Sequence, residues 1–376
     1  MKKKNQEGER GAYQQADVEL SVIIPVLNEE KTLKLLFENI FRQQKVDFEV
    51  IFCDGGSTDG TLSVITAYGV QAPFPVRVVR GAAGRGRQMN AGVGPSRGQI
   101  LLFLHADSSF KDPRALRLGL DALRVAWEKT GHSRVAGRFK LCFDVCRGSS
   151  PAAYSFYETK ARLNRSGCIH GDQGFLMGRS FFAELGGFRE DLPILEDEKL
   201  AEAVFGQGRW MLLPAEITTS ARRFAEEGFF ERQVLNALIL NCHAIGWYAF
   251  FEEARTLYRQ QQDCGPLKLT PFFDRIAELL GRESWPRRFR LWRKSGAFVN
   301  GHAWQAALFC DCRRRHRLQP QNRMPCLRFY DERIRFLVEN PFGRWVATFL
   351  VWGWFHCFRG FLHGKALLRK VIKGYS

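Results

Sequence analysis

Leu20-Ser21-Val22-Ile23-Ile24-Pro25-Val26-Leu27-Asn28-Glu29-Glu30 leads into a helical pattern, which leads into Val50-Ile51-Phe52-Cys53-Asp54-Gly55-Gly56-Ser57-Thr58-Asp59-Gly60-Thr61. An apolar, β-branched run ends in a polar turn. A second apolar run ends in a carboxylate and glycines. Between them Leu33, Leu36, Phe37, Ile40 and Phe41 are spaced for one helix face. This is a βαβ unit whose polar groups gather at the carboxyl ends of adjacent parallel strands, where open α/β sheets bind ligands. Carboxylates there suit a ribose or a base, because they repel bare phosphate.

The alternation continues outward. Strands are expected at 76–79, 100–104, 135–143, 175–177, 210–213 and 217–220, and helices at 61–68, 87–93, 113–129, 152–163, 180–185 and 196–205. Ile100-Leu101-Leu102-Phe103-Leu104 reads as a strand buried on both faces. It delivers His105-Ala106-Asp107 to the same sheet edge. After Phe224 the texture becomes helical and rich in large apolar residues. The expected organisation is a tail over 1–18, an α/β domain over 19–225, a helical extension over 226–264 and a basic, aromatic-rich helical region over 265–376.

At 376 residues, one large domain with an appendage is expected. Met1-Lys2-Lys3-Lys4-Asn5-Gln6-Glu7-Gly8 is basic with no apolar run after it. It reads as a disordered tail, not a signal peptide. That implies a cytoplasmic setting with the ten cysteines as thiols, mostly buried small hydrophobes. Of the net charge of +17, Gly265–Ser376 carries 22 Lys and Arg against 7 Asp and Glu. The basicity therefore belongs to the appendage, with Arg313-Arg314-Arg315-His316-Arg317 its densest run. Nucleic acid or an anionic membrane surface would complement it, and the membrane is the expected partner. The uncharged run Trp345–Phe358 is 14 residues long, short of the about 20 a spanning helix needs. An interfacial helix with basic anchors, at the inner face of the cell membrane, is expected. A buried core helix is the rival reading.

The motifs together resemble the family 2 glycosyltransferases, whose fold is the GT-A nucleotide-diphospho-sugar transferase fold. That is a mixed, mainly parallel sheet with flanking helices. Val22-Ile23-Ile24-Pro25 with Asn28-Glu29, Asp54-Gly55-Gly56-Ser57-Thr58-Asp59-Gly60-Thr61, His105-Ala106-Asp107 and Glu196-Asp197 carry the resemblance over about Leu20–Phe224. The nearest likeness is to the bacterial subgroup named for its association with radical-SAM and selenium-related domains. The resemblance implies a donor site of Pro25, Asn28, Glu29, Asp54, Asp59, Arg85, Arg87, Asn90 and Ala106. Asp54 would meet a uracil-like base edge, so a UDP-sugar is the favoured donor. Asp59 has a rival role as a cap of the next helix. Asp107 would bind Mn²⁺ or Mg²⁺, and His105, in place of the usual first acid, is a second candidate ligand. Asp197 would act as general base with Glu196 in support. Asp172 and Gln173 would meet the acceptor. Arg222-Arg223-Phe224 stands where processive members have Gln-x-x-Arg-Trp, but without the Gln.

The expected activity is inverting sugar transfer from a nucleotide-diphospho-sugar to an acceptor hydroxyl, with a lipid-linked acceptor in view and nucleic acid not expected as a partner. Two other classes share parts of the pattern. A nucleotidyltransferase uses related sheets but leaves Glu196-Asp197 without a task. A degenerate transferase acting as a membrane- or RNA-associated adaptor would account for the missing first acid and the basic appendage.

Overall fold

The computed structural model describes residues 18–144, 151–192, 194–261, 265–315 and 324–374. The expected tail up to residue 17, Cys146, Cys264, His316 and Arg317 lie outside them. The chain divides into two units, Met1–Asp144 with Tyr157–Ser220, and Val145–Phe156 with Ala221–Ser376.

The first unit is built on β1 (Leu20–Val26), α1 (Glu30–Phe41), β2 (Phe48–Asp54), α2 (Thr61–Gly69), β3 (Val76–Arg80), α3 (Arg85–Val93), β4 (Ile100–Phe103), β5 (Ser108–Phe110), α4 (Ala115–Thr130) and β6 (Val135–Asp144). After α5 (Pro151–Ala161) come β7 (Phe175–Gly178), α6 (Arg179–Glu184), α7 (Glu196–Gln207) and β8 (Arg209–Ser220). The eight strands form one sheet in the order β3-β2-β1-β4-β7-β6-β8-β5. β3, β2, β1 and β4 run parallel, β7 is antiparallel to β4 and β6, β8 is parallel to β6, and β5 is antiparallel to β8. The sheet is mixed and mainly parallel, as expected.

Every residue of β1 and β2 is buried, because helices cover both faces. On one face Val22, Ile24, Val50 and Phe52 pack with Leu36 and Phe37 of α1, Ile65 of α2 and Leu120 of α4. On the other, Ile23, Ile51 and Leu101 pack with Met89 of α3, Phe181 of α6 and Val204 of α7. The one-residue alternation of the strand sends successive side chains into the two layers.

Two strand readings needed correction. β8 is one strand, not two. Its ladder with β6 shifts register between Arg138 and Lys140, which face Leu212 and Glu216. The bulge takes up the segment around Pro214, which has no N–H for a ladder. β5 was not expected at all.

A polar rivet fixes the amino-terminal edge of the sheet. Glu49 is fully buried in β2. It accepts hydrogen bonds from the Ser21 hydroxyl (2.8 Å), the Arg97 backbone N–H and Arg97 Nε (3.2 Å). The Gly98 N–H donates to Ser21 Oγ at 2.8 Å. A Cβ on Gly98 would stand 2.6 Å from the Ser21 backbone nitrogen, so only glycine permits this approach. The Arg179 guanidinium adds bonds to the carbonyls of Val93, Ser96 and Gly98.

The second unit is helical among its described residues: α8 (Arg222–Glu227), α9 (Phe229–Ala244), α10 (Ala249–Arg259), α11 (Thr270–Arg282), α12 (Trp285–Asn300), α13 (Trp304–Arg315), α14 (Pro325–Phe329), a π turn at Tyr330–Ile334, α15 (Arg335–Val338) and α16 (Pro341–Gly374). α16 packs on α11 and α12. No helix of the described residues is long and apolar enough to cross a membrane. The described cysteines are all thiols. Cys53, Cys168, Cys242 and Cys312 are buried, whereas Cys357 is exposed, and so is Cys310, against the expectation that it would pack.

Candidate active site

The loops after β1 and β2 are laced together. Asn28 takes a left-handed conformation (φ 55°), which a short polar side chain tolerates. Its Oδ1 accepts from the Thr58 N–H at 2.8 Å, and its own N–H donates to Ser57 Oγ at 3.0 Å. The Glu29 N–H donates to Thr61 Oγ1 at 2.8 Å, and Glu29 Oε2 accepts from the Thr32 hydroxyl at 2.6 Å. Asp54 is buried and accepts from the Ser57 N–H at 3.0 Å. Asp59 accepts from the backbone of Glu30 and Thr61 and from the Thr61 hydroxyl. Burial would raise its pKa, but the bonds from Thr61 and Glu30 win and hold it below the usual carboxylate value. The N-cap position of α2 is Gly60, which receives no side-chain cap bond, and Asp59 instead ties Thr61 at the start of α2 to Glu30 at the start of α1. Pro25 is buried in its strand, and Ala106 is buried with the core.

A cleft of about 360 Å³ opens at these strand ends, lined by Cys53, Asp54, Arg87, Gln88, Asn90 and Glu190 among others. Gln88 escaped the sequence reading. It is buried, and its Nε2 donates to the carbonyls of Val26 (2.9 Å) and Cys53 (2.6 Å), clamping the carboxyl ends of β1 and β2 to α3. A polar residue at a buried position of a helical pattern was the available signal. Asn90 braces the opposite wall. Its amide donates to the Phe188 carbonyl and Glu190 Oε1, and its Oδ1 accepts from the Phe188 N–H.

Beside the cleft, ordered motifs from distant parts of the chain meet. α3 brings Arg85 to a group formed by Asp172, Glu196 and Asp197, and its charge acts on all three. Gly86 makes this approach feasible, because a Cβ there would stand 2.9 Å from the Arg189 carbonyl oxygen. The two arginines thus part company, with Arg87 on the cleft and Arg85 at the carboxylates.

Asp197 opens α7. The residue before Glu196, Leu195, has φ 68°, a strained conformation for a branched side chain that marks an over-determined turn. Asp197 Oδ2 accepts from the Gly171 N–H at 2.7 Å, and Oδ1 accepts from the Glu198 N–H at 2.9 Å. A Cβ on Gly171 would stand 3.0 Å from His105 Nε2 and 3.3 Å from Asp197 Oδ2. Gly171 therefore sits between the His-Ala-Asp motif and the Glu-Asp motif. Burial pushes the Asp197 pKa up, but His170, the Gly171 N–H, His105 and Arg85 outweigh it and hold the group below the ordinary carboxylate range. His170, a lone histidine that reads from sequence as structural, thus bears on Asp197 as well.

Asp172 is half-buried, and its Oδ1 has no hydrogen-bond partner among the described residues. Burial, then the charges of Asp197 and Asp107, push its pKa up to about 7. Gln173 is fully buried, and its Nε2 donates to the Cys168 carbonyl at 2.9 Å, so it supports the loop from inside. Asp107 is exposed on the turn after β4.

Glu196 is buried, and burial followed by the Asp197 charge raises its pKa. A group whose folded pKa is raised contributes its full stability below the unfolded value and loses it as pH rises through the folded value. Glu196→Gln should therefore be more stable than wild type at pH 8 by about 1–2 kcal/mol, a few degrees in Tm. The gain should shrink as pH falls and vanish below about pH 4, under the unfolded value. Equal melting curves for the two proteins at pH 8 would show that Glu196 carries no electrostatic penalty.

Residues 21–185 match the model of Glycosyl transferase family 2. The match covers less than half of the chain, and the mixed, mainly parallel sheet with flanking helices is the GT-A arrangement that the motifs led us to expect. A PGL/p-HBAD biosynthesis glycosyltransferase of Mycobacterium bovis is 37% identical over 97 residues, 26% of this chain and 38% of the relative. A dolichyl-phosphate beta-glucosyltransferase of Drosophila melanogaster is 34% identical over 127 residues, 30% of this chain and 39% of the relative. The chain thus spans about two fifths of the length of these relatives. Among solved structures, a mannosyltransferase of Pyrobaculum calidifontis in complex with GDP-Man and Mn²⁺ aligns with a TM-score of 0.46 at 15% identity, over 89% of this chain and 87% of that one.

Proposed function

We propose that this protein is an inverting glycosyltransferase that moves a sugar from a nucleotide-diphospho-sugar to an acceptor hydroxyl. The observation that carries the reading is the Asp197 carboxylate, held through both oxygens by backbone N–H groups beside the nucleotide-sized cleft. Its ionised form accepts the proton of the attacking hydroxyl, with Glu196 behind it. Asp54, with Arg87 nearby, lines the seat of the nucleoside end, where a UDP-type base is favoured. Asn28, Glu29, Asp59, Asn90 and Gln88 shape that seat by bracing its loops. Asp172, with an unpartnered buried oxygen, offers an acceptor for a sugar or acceptor hydroxyl. The assignment to the radical-SAM- and selenodomain-associated subgroup rests on the same motifs.

A divalent cation fits the donor set in one way only. Among the described residues no group of three His, Cys, Asp or Glu side chains could hold a metal. The Asp107 carboxylate is exposed and makes no hydrogen bond or ion pair among them. Such a site suits Mg²⁺ or Mn²⁺ completed by substrate phosphates and water. Asp107, with His105 as a further ligand, would hold it, and the ion would offset the charge of the departing diphosphate.

Thermal melting with UDP, GDP and dTDP, each with and without Mn²⁺, tests the reading on wild type and Asp107→Ala. Ligand at 100 times its Kd should stabilise by about 2.7 kcal/mol, a shift of several degrees. One nucleotide should give that shift only with Mn²⁺ and Asp107 together. No shift with any nucleotide would turn the reading toward a degenerate transferase acting as an adaptor.

A further inference from the structure

We infer that the exposed face of α16 is a docking surface for an anionic lipid membrane. It is independent of the transfer reaction and belongs to the second unit alone. Side chains along this helix divide sharply. Thr348 and Phe355 are buried. A Cβ on Gly296 of α12 would overlap Thr348, so the two helices touch backbone to backbone there. Phe355 packs on Phe273 of α11 and Trp292 of α12, with ring centroids 5.2 and 5.4 Å away.

At 100° per residue, Phe342, Val346, Phe349, Leu350, Gly353, Cys357 and Phe361 fall on the opposite side. Phe342 is 76% exposed, Phe349 66%, Leu350 68% and Phe361 62%. This face carries no charged residue from Phe342 to Gly364. Trp352 and Trp354, also exposed, stand at its margins, a position indole rings favour at a membrane–water boundary. An apolar stripe of this length is more than the scattered exposure of an ordinary surface.

Charge decides the occupant. α16 holds six Lys and Arg and no Asp or Glu. Two copies packed through this face would bring together two units of the same sign, each with 22 Lys and Arg against 7 Asp and Glu over residues 265–376, which disfavours a dimer. A nucleic acid would satisfy the charges and leave the apolar face in water. An anionic bilayer surface satisfies both, with the stripe in the acyl boundary and the basic excess of residues 265–376 drawing the unit to the headgroups.

The test uses the full chain with phosphatidylcholine vesicles, with and without phosphatidylglycerol, read by sedimentation and by tryptophan quenching with brominated acyl chains. Wild type should pellet with the anionic vesicles and be quenched. The double variant Phe349→Glu/Leu350→Glu should lose at least tenfold in partitioning while keeping its circular dichroism. If that pair fails to fold, Phe342→Gln/Phe361→Gln serves, with a smaller loss expected. Wild type left in the supernatant would overturn the inference. So would variants that bind as well as wild type, or pelleting without quenching, which means adsorption through charge alone. A wild-type dimer that the substitutions dissociate, with no vesicle binding, would give the face to a second copy instead.

Discussion

Asp197→Asn should lower the rate of nucleotide release from the sugar donor by about 10²–10⁴-fold, the usual worth of a general base, while the nucleotide-induced thermal shift persists. Attack by an acceptor hydroxyl and attack by water both need the same proton removed, so slow donor hydrolysis reports the loss even before the acceptor is known. The geometry adds a second signature. Both carboxylate oxygens of Asp197 accept from backbone N–H groups. An amide offers one acceptor only, so its NH₂ must confront an N–H. The variant should therefore lose about 1–2 kcal/mol of stability. Part of this is returned, because removing the Asp197 charge relieves Glu196 and Asp172, whose pKa values that charge raises. Wild-type hydrolysis by the variant would take the base role away from Asp197.

The second large effect lies at the far edge of the sheet. Glu49→Ala should cost about 3 kcal/mol, the scale for breaking a buried, hydrogen-bonded charge pair. It strands the Ser21 hydroxyl and the Arg97 N–H. For the first unit this is a fall of roughly 6–12 °C in Tm. The pH dependence has a definite sign. Burial raises the Glu49 pKa, but the hydrogen bonds from Arg97 and Ser21 prevail and the folded value is lowered. Its stabilisation is then complete above the unfolded value of about 4.3 and fades as pH falls through the folded one. The gap between wild type and variant should be full at pH 7 and shrink below pH 4. Chemical denaturation at the two pH values measures it, and a gap independent of pH would mean that packing, not charge, holds Glu49 in place.

Much of this architecture was legible because covered parallel strands announce themselves as apolar runs. β1, β2 and β4 are such runs, and the helices between them show one apolar face each. β5 was invisible because Ser108-Ser109-Phe110 has no pattern of its own and becomes a strand only by pairing with Thr219, Thr218 and Ile217. Pro214 split β8 on paper, whereas the structure absorbs it in a bulge. α16 runs 34 residues with five glycines, beyond the 14 that hydropathy picked out, because its packing on α11 and α12 supplies what local propensity lacks.

The site divides in the same way. That Glu196-Asp197, Asp107 and Arg85 lie near one another could be expected because several ordered motifs must share one sheet edge. The roles of Asn28, Asp59 and Asn90 could not be resolved, since a short polar side chain that braces a loop is spelled like one that meets a ligand. His170 and Gly171 earn their place only through what the fold sets beside them.

Gly171 has a consequence for anyone wishing to redirect this protein to a new acceptor. The group that orients Asp197 is a main-chain N–H, which no side-chain exchange can delete. Almost any residue in place of Gly171 would push its Cβ between His105 and Asp197. Libraries that vary this loop should thus hold position 171 constant and diversify around it, because that backbone link makes the loop and the Asp197 carboxylate one inherited part.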